Sequence, residues 1–307
     1  MSDYMFMLEN HLSAEQNRVV EEVQHAAGRI GVNLFLAGGA MRDMLGGFQV
    51  RDLEFCVEGD ALELSRILAA EAGAQILSTH QDRRAADLLF PVGVAAQVAM
   101  TRVERYARPG APPTITPATI QEDLRSRDFS INAIALSLNR ASRGLLLDPN
   151  NGLADLERRE IRTLYPYAFH DDPTRMLRLV RLRTRLEFTV EERTAAQYAG
   201  ALEAGCAAAI SGRALLEELE AIAEESNPAE VVRALDAEGL LTLFSPALTG
   251  PKLNFAGLAR LERARRIFPQ SETPRGAGMG PFLHALTEKL TPREKAELIR
   301  TTGMTRA

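Results

Sequence analysis

The segment spanning residues 34–57, LFLAGGAMRDMLGGFQVRDLEFCV, constrains the fold more than any other. It reads as a buried strand ending at Ala37, two glycines (Gly38, Gly39), and a short helix carrying Arg42 and Asp43. A break at Gly46 and Gly47 follows, and then a second strand opening at Asp52-Leu53-Glu54. A strand that ends in Gly-Gly and turns straight into a helix leaves unpaired N–H groups facing outward. Glycine lets an anion approach the backbone, and a helix N-terminus favours negative charge. Residues two apart on a strand share a face, so Asp52 and Glu54 point the same way. Two carboxylates beside a phosphate cradle suit a divalent metal carrying a nucleoside triphosphate. Each piece alone has a plainer reading, because Gly-Gly is common turn punctuation and D-x-E is often a solvated strand face.

The 307 residues allow two or three compact units, and 46% hydrophobic with 25% charged residues is ordinary for a soluble globular chain. No apolar run approaches bilayer-spanning length, and MSDYMFMLEN has no basic signal-like region. A cytoplasmic protein with no membrane association is therefore expected. Cys56 and Cys206 are far apart in sequence, which fits a reducing compartment without a disulfide framework. The five histidines form no ligand cluster, which argues against zinc. A net charge of −5 argues against gripping nucleic acid with the whole surface, but leaves room for a local basic groove.

Along the chain, the pattern predicts a first helix over 13–28, with Ser13 and Gln16 at capping-box spacing. A second amphipathic helix is expected over 60–72, followed by strands at 74–79, 88–91 and 94–100. A small mixed sheet flanked by helices is the expected outcome. Beyond residue 150 the periodicity is helical. Pro173 stands near a helix start, Asn227-Pro228-Ala229-Glu230 has the order N-cap, N1 proline, N3 acid, and Thr291-Pro292 opens a last short helix. The stretch 269–281 is rich in Pro, Gly and Ser and reads as a linker or mobile loop.

Three motifs, in order, resemble those of the class II tRNA nucleotidyltransferase (CCA-adding enzyme) and poly(A) polymerase family. The first runs G-G-x-x-R-D-x-L-x-G, four residues, then D-x-D. It is matched at Gly38, Gly39, Arg42, Asp43, Leu45, Gly47 and Asp52, with Glu54 in the last place. The second, E-D-L-x-R-R-D-F-T-x-N-A, is matched from Glu122 to Ala133, with Ser126 and Ser130 as the departures. The third, E-D-x-x-R-M-L-R-A-V-R-F, is matched from Asp171 through Asp172, Arg175 and Arg178 to Arg181. An alternative to the third is a capped helix with a solvated stripe of Arg175, Arg178, Arg181 and Arg185. Arg102, Glu104, Tyr106 and Pro109 fit a further family passage. Five residues before Arg102, however, the family places a third carboxylate and this chain has Gln97, which ligates hard cations more weakly. Asp87, on the neighbouring strand, is a candidate substitute.

The resemblance implies an α+β chain: a polymerase-beta-like nucleotidyltransferase head on a small mixed sheet (1–150), then an all-α neck (151–210) and a shortened, RNA-binding helical body (211–307). Family members usually run longer, with a tail that holds tRNA, and the expectation here is that this tail is absent. The implied activity is template-independent addition of CMP or AMP, from CTP or ATP, to an RNA 3′ end, with tRNA as acceptor. Asp52 and Glu54 are implied as the catalytic residues and the ligands of two Mg²⁺ ions. The implied nucleotide-binding residues are Gly38, Gly39, Arg42, Asp43, Arg127, Asp128, Asn132, Asp172, Arg175 and Arg178. Within that set, Asp172 and Arg175 pair with the edge of the incoming base. The other reading, motivated by Gln97 and Glu54, is a catalytically degenerate member that binds nucleotide or RNA without efficient transfer.

Overall fold

The computed structural model describes residues 3–267 and 278–304 and divides the chain into two compact units. The first comprises residues 1–105 and 113–164; the second comprises 106–112 and 165–307.

The first unit begins with helices α1 (Asp3–His11) and α2 (Ala14–Ile30). Ser13 caps α2 through a reciprocal capping box with Gln16, as the spacing predicts, and Gly31 closes it in the left-handed conformation. Strand β1 (Asn33–Ala37) leads through Gly38 into α3 (Gly39–Leu45), and β2 (Leu53–Glu58) follows. Next come α4 (Ala61–Glu71), β3 (Gln75–His80), β4 (Ala85–Leu89) and β5 (Ala95–Met100). A hairpin of β6 (Arg102–Arg105) and β7 (Thr114–Pro117) precedes α5 (Ile120–Ser126), β8 (Ala135–Ser137), β9 (Leu146–Leu147), α6 (Gly152–Arg158) and β10 (Glu160–Ile161).

The central sheet has seven strands in the order β3-β4-β5-β2-β1-β8-β9. It is mixed, as expected: β2 runs parallel to β5, and β1 pairs antiparallel with both β2 and β8. Period-two alternation sends Leu53, Phe55 and Val57 into one buried face and Glu54 and Cys56 to the other. On the Cys56 side, Phe35, Ala37, Cys56, Ala133 and Ala135 pack with Ile120 and Leu124 of α5. That cover stops short of Glu54, which remains half-buried.

One strand lies earlier than the periodicity predicts. The apolar run at 88–91 suggests a strand there, but β4 occupies Ala85–Leu89. Pro91 cannot donate to the ladder, and residues 90–94 form the turn into β5, with Phe90 N–H donating to Val94 O at 2.9 Å. The shift places Asp87 in the middle of a paired strand.

The first unit also extends past residue 150, to Leu164. Gly152 lies so close to Ser130 that a Cβ there would stand 2.1 Å from the Ser130 carbonyl oxygen, and Phe129 forms a bridge to Thr163. These contacts fasten α6 and the segment after it to the head.

Among its described residues, the regular structure of the second unit is helical apart from the two-residue strand β11 (Thr189–Val190). Its helices are α7 (Ala168–Asp171), α8 (Thr174–Leu186), α9 (Glu192–Glu203), α10 (Gly212–Ala223), α11 (Pro228–Ala237), α12 (Phe255–Ile267), α13 (Met279–Thr287) and α14 (Pro292–Thr302). Thr291 and Glu294 make a full capping box at the start of α14. At α11 the expected cap fails: the Asn227 side chain makes no cap bond, and Glu262 of α12 accepts the Ala229 N–H at 2.9 Å instead. The linker expected over 269–281 falls mostly outside the described residues, and its described end from Met279 is already helix. Among the described residues no helix is long and apolar enough to cross a membrane.

Candidate active site

Gly38 has φ +68°, a conformation that L side chains rarely adopt, and this lets the chain turn from β1 directly into α3. A Cβ at Gly38 would stand 1.9 Å from Glu54 Oε2, and one at Gly39 would stand 2.7 Å from Glu54 Oε1. The two glycines therefore make room for a carboxylate from the neighbouring strand. Contrary to the expectation of outward, unpaired N–H groups, Gly39 N–H donates to Glu54 Oε1 at 3.0 Å and Gly38 N–H to Ile134 O at 3.3 Å. The additional methylene of glutamate, relative to aspartate, carries the carboxylate across to the cradle.

Burial pushes the Glu54 carboxyl up from the ordinary carboxylate range, and the Asp52 charge adds to this, while Arg127, Arg42 and the Gly39 N–H pull it back. Asp52 stands just ahead of β2 and is also half-buried.

The remaining head residues form a wired network. Arg42 is buried; its Nη1 donates to Asn132 Oδ1 at 2.7 Å and its Nε to Asp43 Oδ1 at 2.8 Å. Asn132 Nδ2 donates to Asp128 Oδ1 at 3.0 Å. Arg127 donates from Nε to Asp123 Oδ1 at 2.8 Å, from Nη1 to Asn132 O at 3.2 Å and from Nη2 to Cys56 Sγ at 3.0 Å. Burial works against the Arg127 charge, but Asp123, with Cys56 and Glu54 nearby, raises its pKa further and keeps it cationic. Burial in turn pushes the Cys56 thiol up to about 11, so this cysteine is a neutral packing group. The first and second sequence motifs thus meet in one place, with Glu54, Arg42, Asn132 and Arg127 around Gly38 and Gly39. Asp123, inside the second motif but not singled out there, is the residue that holds Arg127.

In the second unit, Thr174 N–H donates to Asp172 Oδ1 at 3.0 Å, and Asp172 Oδ2 lies 3.6 Å from Arg175 Nε. Arg175 is buried, its Nη1 donates to Tyr165 Oη at 2.8 Å, and its guanidinium lies 5.4 Å from that ring's centroid. Nothing in the sequence signals Tyr165. The arginines after it on α8 are not a solvated stripe: Arg178 and Arg181 donate to the buried Glu218 at 3.2 and 3.1 Å, and Arg181 also reaches Glu225. Arg178 is thereby tied to α10 as well as being a predicted nucleotide-binding residue.

Comparisons with known proteins bear on the family and the fold. Residues 34–162 match the poly A polymerase head domain. Over 230 residues the chain is 37% identical to the A-adding tRNA nucleotidyltransferase of Halalkalibacterium halodurans, an alignment covering 74% of this chain and 54% of that protein. It is 38% identical over 210 residues to the CC-adding tRNA nucleotidyltransferase of Deinococcus radiodurans, covering 68% and 55%. The chain therefore spans about half the length of these curated relatives. The solved structure of the Thermotoga maritima CCA-adding enzyme complexed with tRNA superimposes with a TM-score of 0.68 at 27% identity, covering 99% of this chain and 70% of that one. With the mixed-sheet head, the three ordered motifs and these relatives in agreement, the chain belongs to the tRNA nucleotidyltransferase family.

Proposed function

We propose that this protein is a template-independent RNA nucleotidyltransferase that adds AMP or CMP, from ATP or CTP, to the 3′ end of tRNA. The observation that carries the reading is Glu54, set against Gly38 and Gly39 and acted on by the Arg42, Arg127 and Asp52 charges. The activities named for the relatives supply the acceptor class.

Asp52 and Glu54 offer only hard oxygen donors, and Glu54 is a half-buried acid whose carboxyl is pushed up until a cation neutralises it; both properties fit Mg²⁺. Bound there, Mg²⁺ in a two-metal arrangement supplies Lewis-acid activation of the 3′-hydroxyl and charge neutralisation on the triphosphate. Arg42 and Arg127 add fixed positive charge toward the phosphates, and their bonds to Asp43, Asn132 and Asp123 keep that charge from reorganising during reaction. Asp128 and Asn132 orient the sugar and triphosphate. In the reaction, the RNA 3′ oxygen bonds to the α-phosphorus, its proton passes to solvent water, the bond from the α-phosphorus to the bridging oxygen breaks and pyrophosphate leaves. Asp172, Arg175 and Arg178 in the second unit read the incoming base, with Arg175 held in place by Tyr165.

The test is incorporation of labelled ATP and CTP onto tRNA lacking its 3′ nucleotides, with Mg²⁺, beside an Asp52→Ala control. Signal lost in the control supports transfer at this site, and the nucleotide used distinguishes A-, CC- and CCA-addition. The occupied cradle and Gln97 favour a second reading, nucleotide binding without efficient transfer. That reading requires ATP with Mg²⁺ to raise the melting temperature while no label enters RNA.

A further inference from the structure

The sheet face that carries Glu54 bears a polar row that the transferase reading leaves unused. Register pairs Glu54 with Gln97, Gln97 with Asp87, and Asp87 with Ser78. Residues directly opposite in register share a face, so β2, β5, β4 and β3 each contribute one polar side chain to a straight line across the sheet. Three of the four are joined: Gln97 Nε2 donates to Asp87 Oδ1 at 2.9 Å, and Ser78 Oγ donates to Asp87 Oδ2 at 2.6 Å. His80, two residues along β3 from Ser78, places Nε2 3.1 Å from the same Oδ2.

We infer that Asp87 is a positioning residue for the active site: it turns the Gln97 amide so that its oxygen faces Glu54 and serves as a third oxygen ligand for the divalent metal. The inference rests on the reading of Asp52 and Glu54 as metal ligands.

The argument is one of hydrogen-bond polarity. A glutamine amide presents two donors at one end and an acceptor at the other, and nothing in its own shape selects which end faces a given neighbour. An ionised carboxylate only accepts. Asp87 therefore takes the NH₂ end, and the planar amide leaves Oε1 on the side away from β4. That side is β2, about 4.8 Å distant in a sheet, where Glu54 stands directly opposite. Ser78 and His80 occupy the other carboxylate oxygen and hold Asp87 in this role. Without Asp87, Gln97 presents its NH₂ to Glu54 equally well and competes with the cation for the carboxylate. Residues that orient a ligand from behind typically change metal affinity by about 10- to 100-fold when replaced.

The experiment is a titration of the full chain with Mn²⁺, followed by the electron paramagnetic resonance signal of the free ion, with Asp52→Ala defining the signal of a lost site. Asp87→Asn removes the acceptor-only partner and is expected to weaken Mn²⁺ binding by about 10-fold or more. The double variant Asp87→Asn/Gln97→Glu is expected to regain wild-type affinity, because a carboxylate presents oxygen in either orientation. Gln97→Glu alone is expected to gain less than it does in the Asp87→Asn background, since it sets a second negative charge against Asp87. Melting temperatures without metal accompany each titration. The double variant carries the same change at position 87, so its recovery separates a lost ligand from a damaged fold. Asp87→Asn binding Mn²⁺ as tightly as the wild type, or a folded double variant that stays weak, overturns the inference. If the wild type binds Mn²⁺ no better than Asp52→Ala and adds no label to tRNA, the transferase reading falls with it. If the wild type binds and transfers while Asp87→Asn is unchanged, only the role of Asp87 falls.

Discussion

Glu54 Oε1 accepts the Gly39 N–H at 3.0 Å, so a side chain from β2 occupies the backbone donor that opens α3. An incoming triphosphate competes with this bond. Aspartate at position 54 is one methylene shorter and withdraws from Gly39. A backbone bond to a charged acceptor contributes about 1.5–3 kcal/mol, and only part of it is recovered on displacement. Glu54→Asp is expected to lower the KM for ATP several-fold and, because its carboxylate is drawn back, to lower kcat by up to about 10²-fold, whereas Glu54→Gln keeps the size, loses the charge and lowers kcat by about 10²-fold or more. Steady-state kinetics of the three proteins on one tRNA substrate check this, and an unchanged KM in Glu54→Asp removes the competition argument.

Gly38→Ala meets two obstacles at once, a positive φ and a Cβ 1.9 Å from Glu54 Oε2. The backbone conformation alone costs about 1–3 kcal/mol. Displacing Glu54 by about 1 Å is expected to lower kcat/KM by on the order of 10²-fold. Thermal melting together with kcat/KM separates the two effects, and activity close to wild type in a folded Gly38→Ala protein contradicts the close approach.

Tyr165 fixes Arg175 through its hydroxyl, so Tyr165→Phe frees the guanidinium while retaining the ring beneath it. A hydrogen bond from a charged donor is worth about 1.5–3 kcal/mol, so the ratio of kcat/KM for ATP over CTP is expected to shift by about 10-fold and at most about 10²-fold. Single-turnover rates with each nucleotide test it. Equal losses for both nucleotides would assign Tyr165 a packing role only.

Glu218 is buried between α10 and α8, and burial alone would raise its carboxyl. The Arg181 and Arg178 guanidiniums outweigh that and hold it below the usual carboxylate range. Its folded value lies below its unfolded one. Its stabilisation is therefore complete above the ordinary carboxylate range and is lost as pH falls through the depressed folded value. Glu218→Gln leaves Arg181 and Arg178 without their shared counter-charge and is expected to cost about 3–5 kcal/mol at neutral pH. Melting curves between pH 3 and pH 7 check both signs: the wild type weakens toward acid, and the variant shows a shallower dependence.

Local signals in the chain proved readable and reach-dependent ones did not. The strand-turn-helix at Gly38 and Gly39 and the capping boxes at Ser13 and Thr291 depend on neighbours three or four positions away, and they formed as the residues dictate. The Asp52-x-Glu54 spacing fixes a shared face but not how far a glutamate extends, so the pairing with Gly39 was not visible. The run Leu88-Leu89-Phe90 attracts a strand assignment, yet Pro91 and Gly93 turn the chain and draw the strand back onto Asp87. On α8 the arginine spacing is that of a solvated face, and only the approach of Glu218 and Glu225 from a distant helix makes it a buried one. Asn227 illustrates the same limit, because Glu262 arrived from α12 to do what its sequence position suggested.

The Arg42–Asn132 bond joins residues 90 positions apart. Contacts of such separation must close a long loop, and the entropy of that closure slows their formation. During synthesis, a nascent chain that has not yet released Asn132 has the glycine turn, both carboxylates and Asp43 beside Arg42, but not the second brace that Asn132 supplies. Until β8, just beyond Asn132, has joined β1, the first motif stands without the bond that ties it to the second.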